Sequence, residues 1–211
     1  IGNEIIWPIV EDKNGHLWVG TYNEGLYSID PKSDRLTVYE NNPKDSTTLS
    51  SNYVISLCID HEDNLWVGTS MGLNKLTYDS EGKPVFKRYF EEDGLVVSTI
   101  YGLIEDEYQH LWILTYKGLS MLDPSTGVIT NYFREDGLQD NEFSINAVEQ
   151  NESTGEIYAG GINGFNIFKP GQIVGNKIPP ITKIVDLKIL NKSVHIGDII
   201  NDRIILNQSI I

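Results

Sequence analysis

The chain has 211 residues, of which 40% are hydrophobic, and this is enough apolar material for one sizeable core. Its 30 acidic and 16 basic residues give a net charge of −14, and no basic run offsets that charge. A surface this acidic repels nucleic acid and anionic bilayers, so the sequence argues against nucleic-acid binding. No apolar run approaches the roughly 20 residues that a membrane-spanning helix needs.

One five-residue motif recurs four times along the chain. Its copies are Leu17–Thr21, Leu65–Thr69, Leu111–Thr115 and Ile157–Gly161, which read LWVGT, LWVGT, LWILT and IYAGG. The aromatic residue recurs after 48, 46 and 46 residues. A fixed period of this length is typical of proteins built from stacked copies of one supersecondary unit.

Each copy contains four short β-forming segments separated by turn residues, without helical periodicity between them. In the second copy the sequence predicts strands over 53–59, 65–69, 72–78 and 85–90. Loops this short join antiparallel neighbours, so each copy is predicted to be a four-stranded meander, which matches a β-propeller blade in size. We therefore predict an all-β fold with three complete blades and one partial blade, forming an open fragment of a larger propeller. The predicted blades cover about 1–44, 45–94, 95–138 and 139–172.

The recurring motif is interpreted as blade packing. Strand alternation places Trp18 and Gly20 on one face, and a tryptophan repeated in every blade is more typical of packing between blades than of a sugar-stacking ladder. The glycine makes room for the indole or for a close backbone, although Leu114 replaces it in the third copy. A second recurring glycine, Gly25 in the first copy, fits a positive-φ turn before the third strand.

The loops that join the outermost strand of one blade to the innermost strand of the next gather on one face of a propeller, around its channel. Polar and aromatic residues in these loops are therefore the natural ligand contacts. The candidate ligand-binding residues are Asn52, Tyr53, Tyr101, Asn141, Glu142 and Phe143. A structural role is the alternative for each of them, because asparagines cap turns and aromatic rings pack.

The sequence indicates no metal site, no cofactor site and no catalytic motif. The acidic runs 91–93 and 134–136 lack the ligand spacing of a calcium loop, and the four histidines lack metal-binding spacing. Cys58 occupies the position of Ile104 and Val148 in other copies, so we interpret it as a buried apolar residue. Carboxylates contributed by different blades would leave no local motif, so a hydrolase or lyase that acts on polysaccharide remains an alternative.

The full repeat resembles the two-component regulator propeller repeat. The shared pattern is Glu-Asp-x-x-Gly-x-Leu-Trp-Val-Gly-Thr, followed by Gly-Leu, then Asp-Pro, then Tyr and Asp-Gly-Leu. Copy one departs from it in having 22–24 before Gly25 and 41–43 in place of Asp-Gly-Leu, and copy four lacks the outermost strand. Residues 173–180 look like a linker, and 181–211 resemble the truncated start of an immunoglobulin-like three-tyrosine domain.

The resemblance implies the extracytoplasmic sensor region of a hybrid histidine kinase, as in many gut Bacteroides-type bacteria that detect polysaccharide breakdown products. It implies a periplasmic location, an oligosaccharide ligand and a homodimer of the parent sensor. Kinase activity and membrane attachment are expected in parts of the parent protein outside this sequence, so the segment itself is expected to be a non-enzymatic binder without a cofactor. A protein-docking scaffold is a further alternative.

Overall fold

The computed structural model describes residues 5–173 and two short strands at 187–189 and 192–194. The chain divides into two compact units, residues 1–173 and 174–211. The second unit contains β16 (Leu187–Ile189) and β17 (Lys192–Val194), which pair in antiparallel fashion. The predicted linker and immunoglobulin-like start fall outside the described residues, apart from Ile173 and these two strands.

The described part of the first unit contains four small antiparallel sheets in chain order. The first consists of β1 (Ile6–Glu11), β2 (Leu17–Thr21), β3 (Leu26–Asp30) and β4 (Arg35–Tyr39). The second consists of β5 (Val54–Ile59), β6 (Leu65–Thr69), β7 (Gly72–Tyr78) and β8 (Pro84–Tyr89). The third consists of β9 (Gly102–Glu105), β10 (Leu111–Leu114), β11 (Leu119–Leu122) and β12 (Ile129–Tyr132). The fourth consists of β13 (Phe143–Asn151), β14 (Glu156–Gly161) and β15 (Gly164–Phe168).

Each sheet is a meander in which sequence neighbours pair, and the first strands β1, β5, β9 and β13 contact one another in succession. We call the four sheets blades 1 to 4. The all-β propeller arrangement is confirmed, with three complete blades and a three-stranded fourth blade. Single turns of 3-10 helix follow blades 2, 3 and 4, at Glu91–Asp93, Arg134–Asp136 and Pro170–Gln172.

The core lies between blades. Trp18, Trp66 and Trp112 are 5%, 0% and 1% exposed, and each packs against apolar residues of the following blade. Trp18, for example, shares a cluster with Leu57 and Val67 of blade 2. The packing interpretation of the motif is confirmed, because indoles this deeply buried have no ring face free for a sugar.

The glycine of the motif makes room for a side chain of the next blade. A Cβ on Gly20 would lie 2.5 Å from Val54 Cγ1, and a Cβ on Gly68 would lie 2.6 Å from Ile100 Cγ2. Blade 3 reverses the arrangement: Leu114 stands in β10, and its partner across the ladder is Gly102 of β9. Blade 3 therefore also has a glycine in this strand pair, but in the first strand instead of the second.

The second recurring glycine has the predicted conformation. Gly25, Gly72, Gly118 and Gly164 have φ values of 76°, 128°, 148° and 111°. These angles lie in the left-handed region, which favours glycine over any other residue. Each of the four glycines lies in the turn that leads into the third strand of its blade, so the predicted turn is confirmed.

The innermost strands of blades 1, 2 and 4 carry β-bulges, and the bulge in blade 4 is the largest. Residue 55 of β5 is one extra residue between the pairs formed by Val54 and Ser56, whereas four residues of β13, 144–147, face Gly160 alone. The bulge places Glu149, rather than Val148, opposite Tyr158. The sequence-based equivalence of Cys58 with Val148 is therefore wrong by one residue.

Candidate functional site

The connections between blades and the turns that follow the second strands lie at the same end of the blades. In an antiparallel pair the start of one strand meets the end of its neighbour, so Val54 at the start of β5 pairs with Thr69 at the end of β6. We call this end the loop face. We call the opposite end, which carries the turns between first and second strands, the turn face.

Aromatic side chains are concentrated on the loop face. Tyr53 precedes β5, and its ring centroid lies 4.5 Å from that of Tyr22 and 5.8 Å from that of Trp7. The Trp7 ring meets Tyr53 edge-on at 85°, which is a favourable geometry for two aromatic rings. Tyr22 is 47% exposed, so this trio from blades 1 and 2 presents aromatic surface to solvent.

A second aromatic pair continues this surface on blade 3. The Tyr101 and Tyr116 ring centroids lie 6.0 Å apart, and Lys117 Nζ lies 5.6 Å from the Tyr116 centroid. Burial raises the pKa of Tyr53, and the nearby phenols of Tyr22 and Tyr101 raise it further. We call Trp7, Tyr22, Tyr53, Tyr101 and Tyr116 the aromatic cluster.

The structure places the six candidate residues in different environments. Tyr53 and Tyr101 belong to the aromatic cluster. Asn52 and Asn141 brace loops, because their side-chain oxygens accept hydrogen bonds from the backbone N–H groups of Asn41 (2.6 Å) and Arg134 (2.7 Å).

The last two candidates lie next to each other in blade 4 but differ in burial. Glu142 is exposed, and its backbone carbonyl accepts hydrogen bonds from the Ile162 N–H and from Gln139 Nε2. Phe143 is 1% exposed and packs in the core with Trp112 and Leu114. Phe143 starts its inner strand, as the fully buried Val54 does, and this position faces the preceding blade.

Sequence reasoning missed three members of the aromatic cluster. Tyr22 and Tyr116 directly follow the last residue of the repeated motif, where the other two copies have Ser70 and Ile162. An alignment of the four copies shows these two tyrosines at the same position, next to the predicted ligand-binding loops, so the sequence could have predicted them. Trp7 lies at the bulge of β1, and a bulge position is not visible in the sequence.

Asn146 joins three blades at the centre of the unit. It has a φ of 53°, its backbone N–H donates to the Tyr101 carbonyl (2.8 Å), and its Nδ2 donates to the Ile55 carbonyl (3.0 Å). Asparagine tolerates the left-handed region better than most residues. The wide bulge of β13 thus joins blade 4 to Ile55, in the innermost strand of blade 2, and to Tyr101, which directly precedes the innermost strand of blade 3.

The turn face is organised by one aspartate in each complete blade. Asp12, Asp60 and Asp106 each accept hydrogen bonds from backbone N–H groups two and four residues later. Each also accepts the indole N–H of the motif tryptophan, at 3.2, 2.9 and 2.8 Å. Burial raises the pKa of Asp60, but the hydrogen bonds from Trp66 and Asn64 outweigh burial, and the net pKa is lowered.

The described histidines also lie on the turn face, next to carboxylates. His61 of blade 2 joins blade 3, because its Nδ1 lies 2.7 Å from Glu105 Oε1 and its backbone N–H donates to Oε2 at 2.7 Å. The hydrogen bond with Glu105 raises the pKa of His61. His16 and His110 lie 3.2 and 3.3 Å from the carboxylates of Asp12 and Asp106.

The acidic runs have a local role in the turns that follow blades 2 and 3. Asp93 and Asp136 accept the backbone N–H groups of Phe90 and Phe133, each at 2.8 Å. Within the part of the chain that the structure describes, no group of three or more His, Cys, Asp or Glu side chains could hold a metal ion. Burial raises the pKa of the Cys58 thiol to about 12.

Across the described residues, no helix has the length and apolarity that crossing a membrane would require.

Comparison with known families gives a match in the innermost strands of two blades. Residues 1–23 and 48–71 match the two component regulator propeller family. Both segments contain the first strand, the aspartate turn and the second strand of a blade. A histidine kinase from Formosa agariphila is 25% identical over an alignment of 246 residues that covers 95% of this chain. The chain spans 18% of the length of that relative.

Solved structures show the same fold. The extracellular domain of a protein assigned as a hybrid two component system from B. thetaiotaomicron matches 92% of this chain and 33% of its own, with 19% identity and a TM-score of 0.56. A second extracellular domain from B. thetaiotaomicron, assigned to a one component system, matches 79% of this chain and 22% of its own, with 22% identity and a TM-score of 0.61. Virginiamycin B lyase from Staphylococcus aureus, solved with quinupristin, matches 80% of this chain and 57% of its own at 16% identity, with a TM-score of 0.58. These likenesses establish the propeller fold of the chain.

Proposed function

We propose that the chain is a ligand-sensing segment of an extracytoplasmic sensor, in which the aromatic cluster on the loop face binds an oligosaccharide. The parent protein is a hybrid two-component histidine kinase that signals as a homodimer, with its kinase outside this segment. The match of residues 1–23 and 48–71 to the regulator propeller family supports this assignment, as does the histidine kinase relative. The extracellular source of the similar domains from B. thetaiotaomicron supports an extracytoplasmic, periplasmic location.

The observation that carries the proposal is the grouping of aromatic rings from three blades on one face. A pyranose ring has a face of C–H groups that packs on an aromatic ring, while phenol groups at the edge supply hydrogen bonds. Tyr22, Tyr53 and Tyr101 offer both features from separate blades. A linear oligosaccharide could therefore contact several blades at once.

The three histidines that the structure describes lie at the other end of the blades. His16, His61 and His110 each contact a carboxylate on the turn face. The described histidines therefore contribute no acid–base group to the loop face. Binding can signal only through a difference in affinity for two states of the sensor, so the ligand must prefer one arrangement of the parent dimer.

The test is isothermal titration of the chain with a panel of plant and host oligosaccharides. We expect at least one glycan to bind, and we expect Tyr53→Ala and Tyr101→Ala each to weaken its binding about tenfold or more, because each removes a central aromatic contact. Tyr108→Ala is the matched control, since Tyr108 is 51% exposed and lies on the turn face. Absence of binding across the panel, or equal loss in the Tyr108 variant, would contradict the proposal.

A further inference from the structure

A groove opens between blades 1 and 2 on the turn face. It has two adjoining parts, with cavity volumes of about 440 and 380 Å³, which share His16, Trp18 and Tyr78 in their lining. Both volumes lie within the range of about 300–1,000 Å³ that is typical of small-molecule sites. The floor is the face of blade 1 that packs on blade 2, and the wall is the hairpin of β7 and β8. Both blades are complete four-stranded sheets, so described residues bound the groove on both sides.

The wall of the groove is longer than its counterparts in the other described blades. The third strand of blade 2, β7, has seven residues, whereas β3, β11 and β15 have five, four and five. The additional length carries Tyr78 to the groove, where it is 63% exposed. Tyr39 of blade 1 lines the same part of the groove and is half-buried. Burial raises the pKa of Tyr39, and the nearby phenol of Tyr78 raises it further, which places the two phenols close together.

Blade 2 has two lysine side chains on the face that corresponds to the floor of the groove. Its aromatic pair there is Trp66 and Tyr89, whose ring centroids lie 5.8 Å apart. Lys75 Nζ lies 5.0 Å from the Trp66 centroid, and Lys87 Nζ lies 4.8 Å from the Tyr89 centroid. Both distances are within the limit of about 6 Å for a cation–π contact. In blade 2, therefore, ammonium groups of the chain itself cover the rings.

Blade 1 keeps the two rings but lacks the lysines. The Trp18 and Tyr39 ring centroids lie 5.9 Å apart, which matches the pair in blade 2. Ladder pairing places Ser28 and Thr37 at the positions that the two lysines hold in blade 2. These short side chains leave the groove open beside Tyr39, whereas Trp18, which is 5% exposed, contributes little surface.

The charges that line the groove favour a cation. Its carboxylates are those of Asp12, Asp30 and Asp63. The basic groups in its lining are the Arg35 guanidinium and the His16 imidazole, whose Nδ1 lies 3.2 Å from the Asp12 carboxylate. The described lining therefore has an excess of carboxylates. Carboxylates attract an ammonium group, and the face of a tyrosine ring attracts it as well.

We propose that this groove binds a primary ammonium group at the end of an alkyl chain. The ammonium group takes the place that the two lysines occupy in blade 2, beside the Tyr39 ring, and its alkyl chain packs on Tyr78. A free alkylamine and the lysine side chain of another protein both carry this chemistry. The groove lies at the opposite end of the blades from the aromatic cluster, so the proposal is independent of glycan binding.

The test is NMR of the chain with ¹³C-labelled tyrosine rings, titrated with three probes. The probes are cadaverine, N-acetyl-lysine amide and N-acetyl-norleucine amide, and the last of these lacks the ammonium group. We expect saturable shifts of the Tyr39 and Tyr78 signals with at least one amine and no shifts with the norleucine derivative. The tighter of the two amines identifies a free amine or a lysine side chain as the source. Absence of shifts with both amines, or equal shifts with the norleucine derivative, would overturn the proposal.

Two variants with the same change of charge separate the groove from general electrostatics. Thr37→Lys copies the residue of blade 2 into blade 1, so its own ammonium group should weaken amine binding about tenfold or more. Thr130→Lys is the matched control, because Thr130 holds the same ladder position in blade 3, is exposed and lies outside the groove. It should bind the amine as the wild type does, and circular dichroism should give the same spectrum for all three proteins. Unchanged binding by Thr37→Lys, or an equal loss in both variants, would also overturn the proposal.

Discussion

Gly68 gives the sharpest test of how the blades pack. Its backbone has an ordinary conformation, so any effect of Gly68→Ala comes from crowding and not from backbone strain. The added Cβ would overlap Ser56 Oγ of the paired strand and would lie 2.6 Å from Ile100 Cγ2 of the next blade. Overpacking of a rigid core typically costs about 1–3 kcal/mol, and with two neighbours crowded we expect about 2 kcal/mol.

Blade 3 indicates how the same substitution could be tolerated. There Leu114 occupies the position of Gly68, and the residue opposite is Gly102 where blade 2 has Ser56. Ser56→Gly should therefore relieve part of the crowding. It also removes a buried hydroxyl that lacks a hydrogen-bond partner, which offsets the cost of roughly 0.5–1 kcal/mol for glycine in a strand.

The assay is urea unfolding followed by tryptophan fluorescence, applied to the wild type, both single variants and the double variant. We expect Ser56→Gly to be close to neutral and the double variant to recover about 1 kcal/mol or more relative to the sum of the single effects. For a unit of this size, a loss of about 2 kcal/mol also lowers the melting temperature by roughly 4–8 °C. A Gly68→Ala protein as stable as the wild type, or strictly additive effects, would refute the crowding argument.

Three further predictions concern other contacts. Because Glu105 raises the pKa of His61, the pair stabilises the fold fully below the unfolded pKa of about 6.5, and this contribution is lost as the pH rises through the folded pKa. NMR titration should show that the pKa of His61 is lower in the Glu105→Gln variant than in the wild type. An unchanged pKa would contradict the contact. Asn146→Gly keeps the positive φ but loses the hydrogen bond to the Ile55 carbonyl, so urea unfolding should show that the free energy of unfolding falls by about 1 kcal/mol. Asn146→Ala should lower it by roughly 1 kcal/mol more, because alanine disfavours a positive φ. Equal stability of the two variants would argue against a role for the backbone conformation. The Cys58 thiol, with its pKa of about 12, should resist a thiol-specific reagent near pH 8 in the folded protein and react after denaturation, and rapid labelling of the folded chain would count against its burial.

The blade architecture could be predicted from the sequence because it is repeated. The packing tryptophan recurs in three copies and the turn glycine in four, and such recurrence is unlikely to arise by chance. The role of Trp18 and the positive φ of Gly25 could therefore both be predicted by comparing the copies. Features that occur once had no such internal control. The wide bulge at 144–147 and the reach of Asn146 to Ile55 depend on tertiary contacts between residues 91 positions apart.

The candidate site was predicted only in part, for the same physical reason. Strand connectivity placed the candidate residues at the loop end of the blades, and Tyr53 and Tyr101 lie at that end; their role in ligand binding stays a prediction. Phe143 was expected among the ligand contacts, but its ring packs in the core. The reason is that Phe143, like Val54 in blade 2, is the first residue of the innermost strand and faces the preceding blade. Successive residues of a strand point to opposite faces. At the start of a strand, a shift of one residue in register therefore decides whether a side chain faces the solvent, where a ligand could bind, or the core.

The proposed recognition of an oligosaccharide by the aromatic cluster on the loop face can be tested residue by residue. The most direct measurement is NMR of the chain with ¹³C-labelled tyrosine rings during titration with a glycan that binds in calorimetry. We expect progressive shifts in the ring signals of Tyr22, Tyr53, Tyr101 and Tyr116, with the signals of Tyr78 and Tyr108 unchanged. Shifts confined to Tyr78 or Tyr108, or spread equally over all tyrosines, would contradict it.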